Sequence, residues 1–214
     1  PDPADQPDES APFCDAVVGD WPYYASKIAA ERQAGALAAE LGVEWVVVRP
    51  PVLLGPGDHR LRSTGHIIKM LNGKLPFLLD GGMAFVDIRD AAEAMLSILE
   101  LEQPKPAYHL PGTQCGVREF FAMVAAVSGS PAPTICLPYP AALALAHGAS
   151  LIARKMGRLK SPLPDPVVVE MARHHWGMSS AWAASDLGFA PRPGLQTLAD
   201  TVEWLRRVEA VPAH

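Results

Sequence analysis

The feature that most constrains this chain is a helix-to-strand unit near its start. From about Tyr23 to Leu41 the sequence is alanine-rich (Ala25, Ala29, Ala30, Ala34, Ala36, Ala38, Ala39), a composition of high helix propensity. Pro22 suits a first-turn position and Gly42 a C-terminal stop. Directly afterwards, Val43-Glu44-Trp45-Val46-Val47-Val48-Arg49 is a β-branched run with little alternation. A strand covered on both faces reads this way, and such strands belong to parallel sheets. Parallel strands are joined by crossovers, so the unit predicts an α/β fold whose sheet begins upstream.

The rest of the chain extends the pattern. Residues 1–20 are rich in proline and acidic side chains and predict an irregular entry segment. Pro50 to Asp58 is turn-rich. Residues 63–73 have helical period, Gly81-Gly82 breaks the chain, and Ala84 to Ile88 predicts a short strand. Asp90 to Leu101 predicts a helix with an apolar stripe at Ala91, Ala94, Met95, Ile98 and Leu99. Tyr108-His109-Leu110 predicts another strand. Helices are expected near 117–128, 138–157, 164–174, 180–187 and 195–208. Pro131, Pro133, Pro138, Pro162 and Pro164 punctuate them. The reading is an α/β region over residues 1–110 and a mainly helical region over 111–214.

Composition removes several function classes. The 214 residues carry 18 basic and 23 acidic side chains, a net charge of −5. Mild acidity argues against nucleic acid as a partner. The apolar run Ala141 to Ala153 falls short of the roughly 18–20 residues a span needs, so no membrane partner is expected and a core helix is the reading. Cys14, Cys115 and Cys136 show no CxxC spacing and are odd in number. Free thiols in a reducing, cytoplasmic setting follow, with no signal peptide. The start at Pro1-Asp2-Pro3 points to processing or to a longer protein. His174-His175-Trp176 lacks metal-ligand spacing and reads as a surface or helix-end pair, with no metal expected. The basic cluster Arg154-Lys155-Met156-Gly157-Arg158-Leu159-Lys160 reads as a solvated helix end, or as a contact for an anionic surface. The seven methionines read as gap-filling residues.

One constellation can carry chemistry. In Tyr23-Tyr24-Ala25-Ser26-Lys27, Tyr23 and Lys27 are four apart and share a helical face. A phenol titrates near pH ~10, and a neighbouring ammonium favours its phenolate. Such a pair can exchange a proton with a carbonyl or alcohol. Taken alone, the same spacing equally describes an ordinary amphipathic helix with an exposed lysine.

Three segments in order change that balance: Tyr23 to Lys27, Val48-Arg49-Pro50-Pro51-Val52-Leu53-Leu54-Gly55-Pro56-Gly57-Asp58, and Gly81-Gly82-Met83-Ala84-Phe85-Val86-Asp87-Ile88-Arg89-Asp90-Ala91-Ala92. The tail segments Ser185 to Arg192 and Leu198 to Leu205 agree with them. Together they resemble the extended short-chain dehydrogenase/reductases, in the dihydroflavonol-reductase-like branch of the NAD-dependent epimerase/dehydratase proteins. The resemblance implies the C-terminal half of a Rossmann-type doubly wound sheet plus a mostly helical substrate-binding domain. It implies NAD or NADP as cofactor and a small-molecule substrate. Tyr23 matches the catalytic acid/base, and Lys27 the residue that tunes it and holds the nicotinamide ribose. Pro50, Pro51 and Val52 match the turn at the nicotinamide end. Thr64 lies where such proteins approach the cofactor; His66 and Phe85 lie toward the substrate. Asp87 reads equally as structural, and Arg89 with Asp90 as a local ion pair.

The departures matter as much. No G-x-G-x-x-G occurs in the chain, so the N-terminal dinucleotide fingerprint is absent and the missing N-terminal nucleotide-binding half becomes an expected partner. The catalytic serine or threonine expected upstream of the tyrosine has only Ser10 in its window. The resemblance implies carbonyl reduction or alcohol oxidation on a small, apolar molecule. Alternatives are a sugar epimerase or dehydratase of the same family, and a non-catalytic binding fragment. A homodimer through the Tyr/Lys helix is a further implication.

Overall fold

The computed structural model describes residues 6–157 and 163–212. The opening segment is not wholly irregular: a single helical turn, α1 (Asp15–Val18), buries Val18. Helix α2 (Pro22–Leu41) starts with Pro22 in its first turn and stops at Gly42. That glycine adopts φ +65°, a left-handed cap that suits a residue without Cβ.

Strand β1 (Val47–Arg49) is shorter than the apolar run predicted. It pairs in parallel with β5 (Ala107–His109), in the register Val47 to Ala107 and Arg49 to His109. The partner strand offers three residues, so the ladder has three. Val43 and Trp45 lie in an exposed approach, and β1 is half-buried rather than covered on both faces. Among the described residues β1 pairs only with β5.

A second sheet has the order β2 (Val52–Leu54), β4 (Gly82–Asp87), β6 (Thr113–Gly116). The β2 strand lies inside the stretch read as turns; it forms because Val52 and Leu54 align in parallel with Phe85 and Asp87. The β6 strand runs antiparallel to β4, with Cys115 opposite Met83. A two-residue bridge joins β3 (Leu78–Leu79) to β7 (Cys136–Leu137) in parallel.

The remaining helices are α3 (Gly65–Leu71), α4 (Ile88–Leu99), α5 (Val117–Ser128), α6 (Tyr139–Lys155), α7 (Pro166–Ala172), α8 (Ala181–Leu187) and α9 (Gly194–Arg207). Helix α4 begins two residues before its predicted start because Asp87 caps it, accepting the Arg89 backbone N–H at 2.9 Å. Arg158, Leu159 and Lys160 of the basic cluster, and Pro162, lie outside the described residues. Among those described, no helix is long and apolar enough to cross a membrane.

Two apolar clusters hold these elements. One joins Phe85 of β4 to Phe120, Phe121 and Val124 of α5 and to Leu198, Val202 and Leu205 of α9. The other gathers Tyr108 and Leu110 with Val86, with Ala91, Ala94 and Ile98 of α4, and with Ala183 of α8. Each fully buried large side chain contributes roughly 1.5–3 kcal/mol relative to exposure.

Candidate active site

Helix α2 presents two adjacent tyrosines whose rings meet edge-on at 5.3 Å. Tyr23 is 65% exposed. The Lys27 Nζ stands 5.6 Å from its ring centroid, so helical spacing has brought the two groups face to face. The Ser26 hydroxyl donates to the Tyr23 carbonyl at 2.6 Å and firms the first turn. Tyr24 turns inward. Its ring stacks on Trp176 at 6.3 Å with 8° between planes, and its hydroxyl donates to the Met171 sulfur at 3.6 Å. Burial pushes the Tyr24 phenol above its ordinary range, with Tyr23 and Cys14 adding to the effect. Tyr24 is therefore a fixed neutral donor.

Around it stands an aromatic cluster. Trp21 packs edge-on to Tyr24 at 5.7 Å and to Trp176 at 5.9 Å, and His174 meets Trp176 edge-on at 5.5 Å. The Trp176 indole N–H donates to the Met171 carbonyl at 2.9 Å. The tyrosine helix is thus docked on the segment that follows α7. That segment lies hard against β4: the Gly82 N–H donates to the His174 carbonyl at 3.3 Å. A Cβ on Gly81 would stand 1.6 Å from the Ala172 carbonyl oxygen, so only glycine fits there. His174 and His175 are accordingly packing residues, one in the cluster and one against Gly82.

The far side of α2 is tied to the sheet. Glu31, one turn beyond Lys27, pairs with Arg49 at the end of β1 at 2.5 Å. The Arg49 guanidinium also reaches His109 Nε2 at 3.3 Å across the β1–β5 ladder. Because arginine only donates, that ring nitrogen must accept, and the other carries the proton. Burial pushes the His109 imidazole below its ordinary range. Glu9 of the entry segment accepts the His109 backbone N–H at 3.2 Å. Pro50 and Pro51, half-buried, and Val52, exposed, follow Arg49 directly. They leave the carboxyl end of β1, the edge where ligands of α/β sheets bind. Tyr23 and Lys27 are thus exposed side chains on a helix that is tied, through Glu31 and Arg49, to the strand leading into the Pro50–Val52 turn.

The other candidates are placed elsewhere. Thr64 is fully buried; its hydroxyl donates to Asp58 at 3.0 Å. The same carboxylate accepts the backbone N–H groups of Arg62, Ser63 and Thr64, so it folds the loop before α3. Burial opposes the charged form of Asp58, but these bonds hold its carboxyl below the usual range. His66 is exposed in the first turn of α3. Phe85 sits in the core, edge-on to Phe120 at 5.4 Å. Ser10 donates to Asp8 at 2.6 Å in an exposed turn.

Asp87 is fully buried and binds the Arg89 guanidinium at 2.8 and 2.7 Å. The expected Arg89–Asp90 pair does not form. Arg89 reaches Asp200 on α9 at 2.5 Å instead, while Asp90 binds Arg192 at 2.6 Å. Adjacent residues of a helix point in different directions, so each finds a different part of the C-terminal segment. The reading of the sequence missed Trp21, Tyr24, His174 and Trp176 as a group; the apolar residue two before Tyr23 and the Trp176 indole were the available signals.

Comparison with known proteins bears on the family and the fold. Residues 1–110 match the model of the NAD dependent epimerase/dehydratase family. The chain is 29% identical over 191 residues to the "Putative dihydroflavonol 4-reductase" of Synechocystis, covering 86% of this chain and 54% of that protein. Cinnamoyl-CoA reductase 2 of Medicago truncatula is 35% identical over 88 residues, 40% of this chain and 26% of that one. A nucleoside-diphosphate-sugar epimerase from Pseudomonas aeruginosa shares the fold at a TM-score of 0.73 and 22% identity, over 96% of this chain and 62% of its own. The chain spans about half the length of the Synechocystis relative. With more than half of its residues under the family model and its fold shared throughout, the chain belongs to the NAD-dependent epimerase/dehydratase family, the extended short-chain dehydrogenase/reductases.

Proposed function

We propose that this chain forms the catalytic-helix and substrate side of an NAD(P)-dependent reductase acting on a carbonyl of a small, apolar molecule. The observation that carries the reading is the exposed Tyr23–Lys27 pair at the rim of the Trp21, Tyr24 and Trp176 cluster. A bound dinucleotide would supply hydride to the carbonyl carbon. Tyr23 gives its phenolic proton to the carbonyl oxygen as charge builds there. Lys27 holds a positive charge over the Tyr23 ring and is placed to hold the ribose. Arg49 and Glu31 fix the distance between this pair and the Pro50–Val52 turn.

The aromatic cluster favours an apolar substrate over a nucleotide sugar, whose diphosphate asks for cations or backbone N–H groups. The test is reduction of a panel of aromatic and aliphatic aldehydes and ketones by the full-length protein, with NADPH and NADH. Tyr23→Phe should lower kcat by about 10²–10⁴. Lys27→Gln should lower kcat and raise KM for the dinucleotide. A Tyr23→Phe protein working at the wild-type rate would overturn the assignment. Epimerisation of a nucleotide sugar without net nicotinamide turnover would replace it with the epimerase reading.

A further inference from the structure

Helix α6 is built inside out. Its fully buried residues are small: Ala142 and Ala146 pack with Val169 of α7, with Tyr139 and Leu143 partly buried beside them, and Ala153 is buried further along. Apart from Leu143, its large aliphatic side chains point outward: Leu145 is 46% exposed, Leu151 55%, and Ile152 and the following Met156 60%. Leu145, Ile152 and Met156 are seven and four residues apart, so they form one stripe, with Leu151 beside it. Ala141, Ala144 and Gly148 are also exposed, and His147 is the one exposed polar side chain between Ala141 and Ile152. A water-facing helix carries the opposite arrangement, with large apolar groups inward and polar ones outward.

Charge is segregated around this stripe. The chain holds 23 acidic residues, yet none occurs from residue 120 to residue 164. Over the same interval the sequence carries Arg154, Lys155, Arg158 and Lys160. Arg154 and Lys155, exposed in the last turn of α6, make no ion pair among the described residues. Glu170 of α7 meets the other end of the helix, accepting the Tyr139 hydroxyl at 2.6 Å. An apolar stripe ending in cations that form no ion pair among the described residues is complementary to a surface whose interior is apolar and whose rim is anionic.

We propose that the outer face of α6 docks on an anionic lipid surface, lying in the plane of the headgroups with Leu145, Leu151, Ile152 and Met156 in the acyl boundary. Lys155 and Arg154 reach back to the lipid phosphates, their aliphatic stems along the apolar layer. Such a helix needs no span, so the short length of the apolar run is no obstacle. The attachment is reversible, because the apolar stripe covers only about 16 Å of helix.

The experiment is vesicle co-sedimentation of the full-length protein. Two preparations are used: phosphatidylcholine alone, and phosphatidylcholine with about a third phosphatidylserine. The expected result is pelleting with the anionic vesicles, weakened by salt. The double variant Leu151→Ser, Ile152→Ser should lose at least about tenfold in partitioning. Lys155→Gln and Arg154→Gln should each lose about fivefold. All four residues are exposed, so the variants should keep the wild-type circular dichroism and melting temperature, and carbonyl reduction should be unchanged. Equal pelleting with neutral vesicles, pelleting without vesicles, or binding indifferent to Leu151→Ser, Ile152→Ser would overturn the proposal. So would a dimer in sedimentation velocity that this double variant splits without any vesicle binding; that result assigns the face to a second copy.

Discussion

Single residues show where sequence periodicity is informative. Tyr23 and Lys27 were legible because a four-residue helical spacing fixes their mutual placement whatever else the chain does. Thr64 and Phe85 were not, because their partners are set by loop folding and by packing rather than by a fixed helical spacing. Thr64 is claimed by Asp58, and Phe85 by Phe120, 35 residues on. His109 was read only as part of a strand, yet it bridges Glu9 and Arg49. Its folded pKa lies below the ordinary value near ~6.5, chiefly through burial. A depressed folded pKa means that the unfolded state takes up the proton first. His109 therefore contributes stability above the unfolded pKa that is lost as pH falls toward the folded one. Urea midpoints of the wild type should drop as pH falls below about 6.5. His109→Gln keeps an acceptor for Arg49 but cannot titrate, and should flatten that part of the profile. Parallel profiles for the two proteins would remove His109 as the cause.

At the scale of elements, the helices followed the pattern more closely than the strands. Helices α5 and α9 carry strong one-sided apolar stripes, and both formed within a residue or two of where periodicity put them. Strand limits are set by partners, which a sequence does not display. β1 shortened to match β5, and β2 emerged from a proline- and glycine-rich stretch because β4 was there to pair with it. The junction between β4 and the segment after α7 rests on the missing side chain of Gly81. Gly81→Ala would force the Ala172 carbonyl away and carry Met171, His174 and Trp176 with it. The expected cost is about 1–3 kcal/mol of stability, with a weakened substrate KM. Chemical denaturation and steady-state kinetics of the variant check both.

For the whole molecule, packing is uneven. Strand β4 and helices α5 and α9 share a continuous core, whereas α2 buries only Ala38 fully and exposes Leu37 and Leu41. A 20-residue helix this lightly covered is held mainly by its aromatic start and the Glu31–Arg49 pair. Native-state hydrogen exchange should therefore find the slowest amides in β4 and α9 and faster exchange in the second half of α2. Equal protection of α2 and α9 would show that the sparse contacts of α2 suffice. The family was legible because its motifs are local runs; the aromatic cluster was not, because its two halves lie some 150 residues apart.

The β1–β5 ladder has a kinetic corollary. Val47 lies beside Ala107, and every residue between them must be gathered before the two strands can pair. Closing so long an interval is entropically expensive, and contacts of this separation slow the search for the native state. The Arg49–His109 bridge spans the same interval. Formation of the candidate site then waits on this closure, and the tyrosine helix gains its bearing on the Pro50–Val52 turn once the β1–β5 ladder and the Glu31–Arg49 pair are in place.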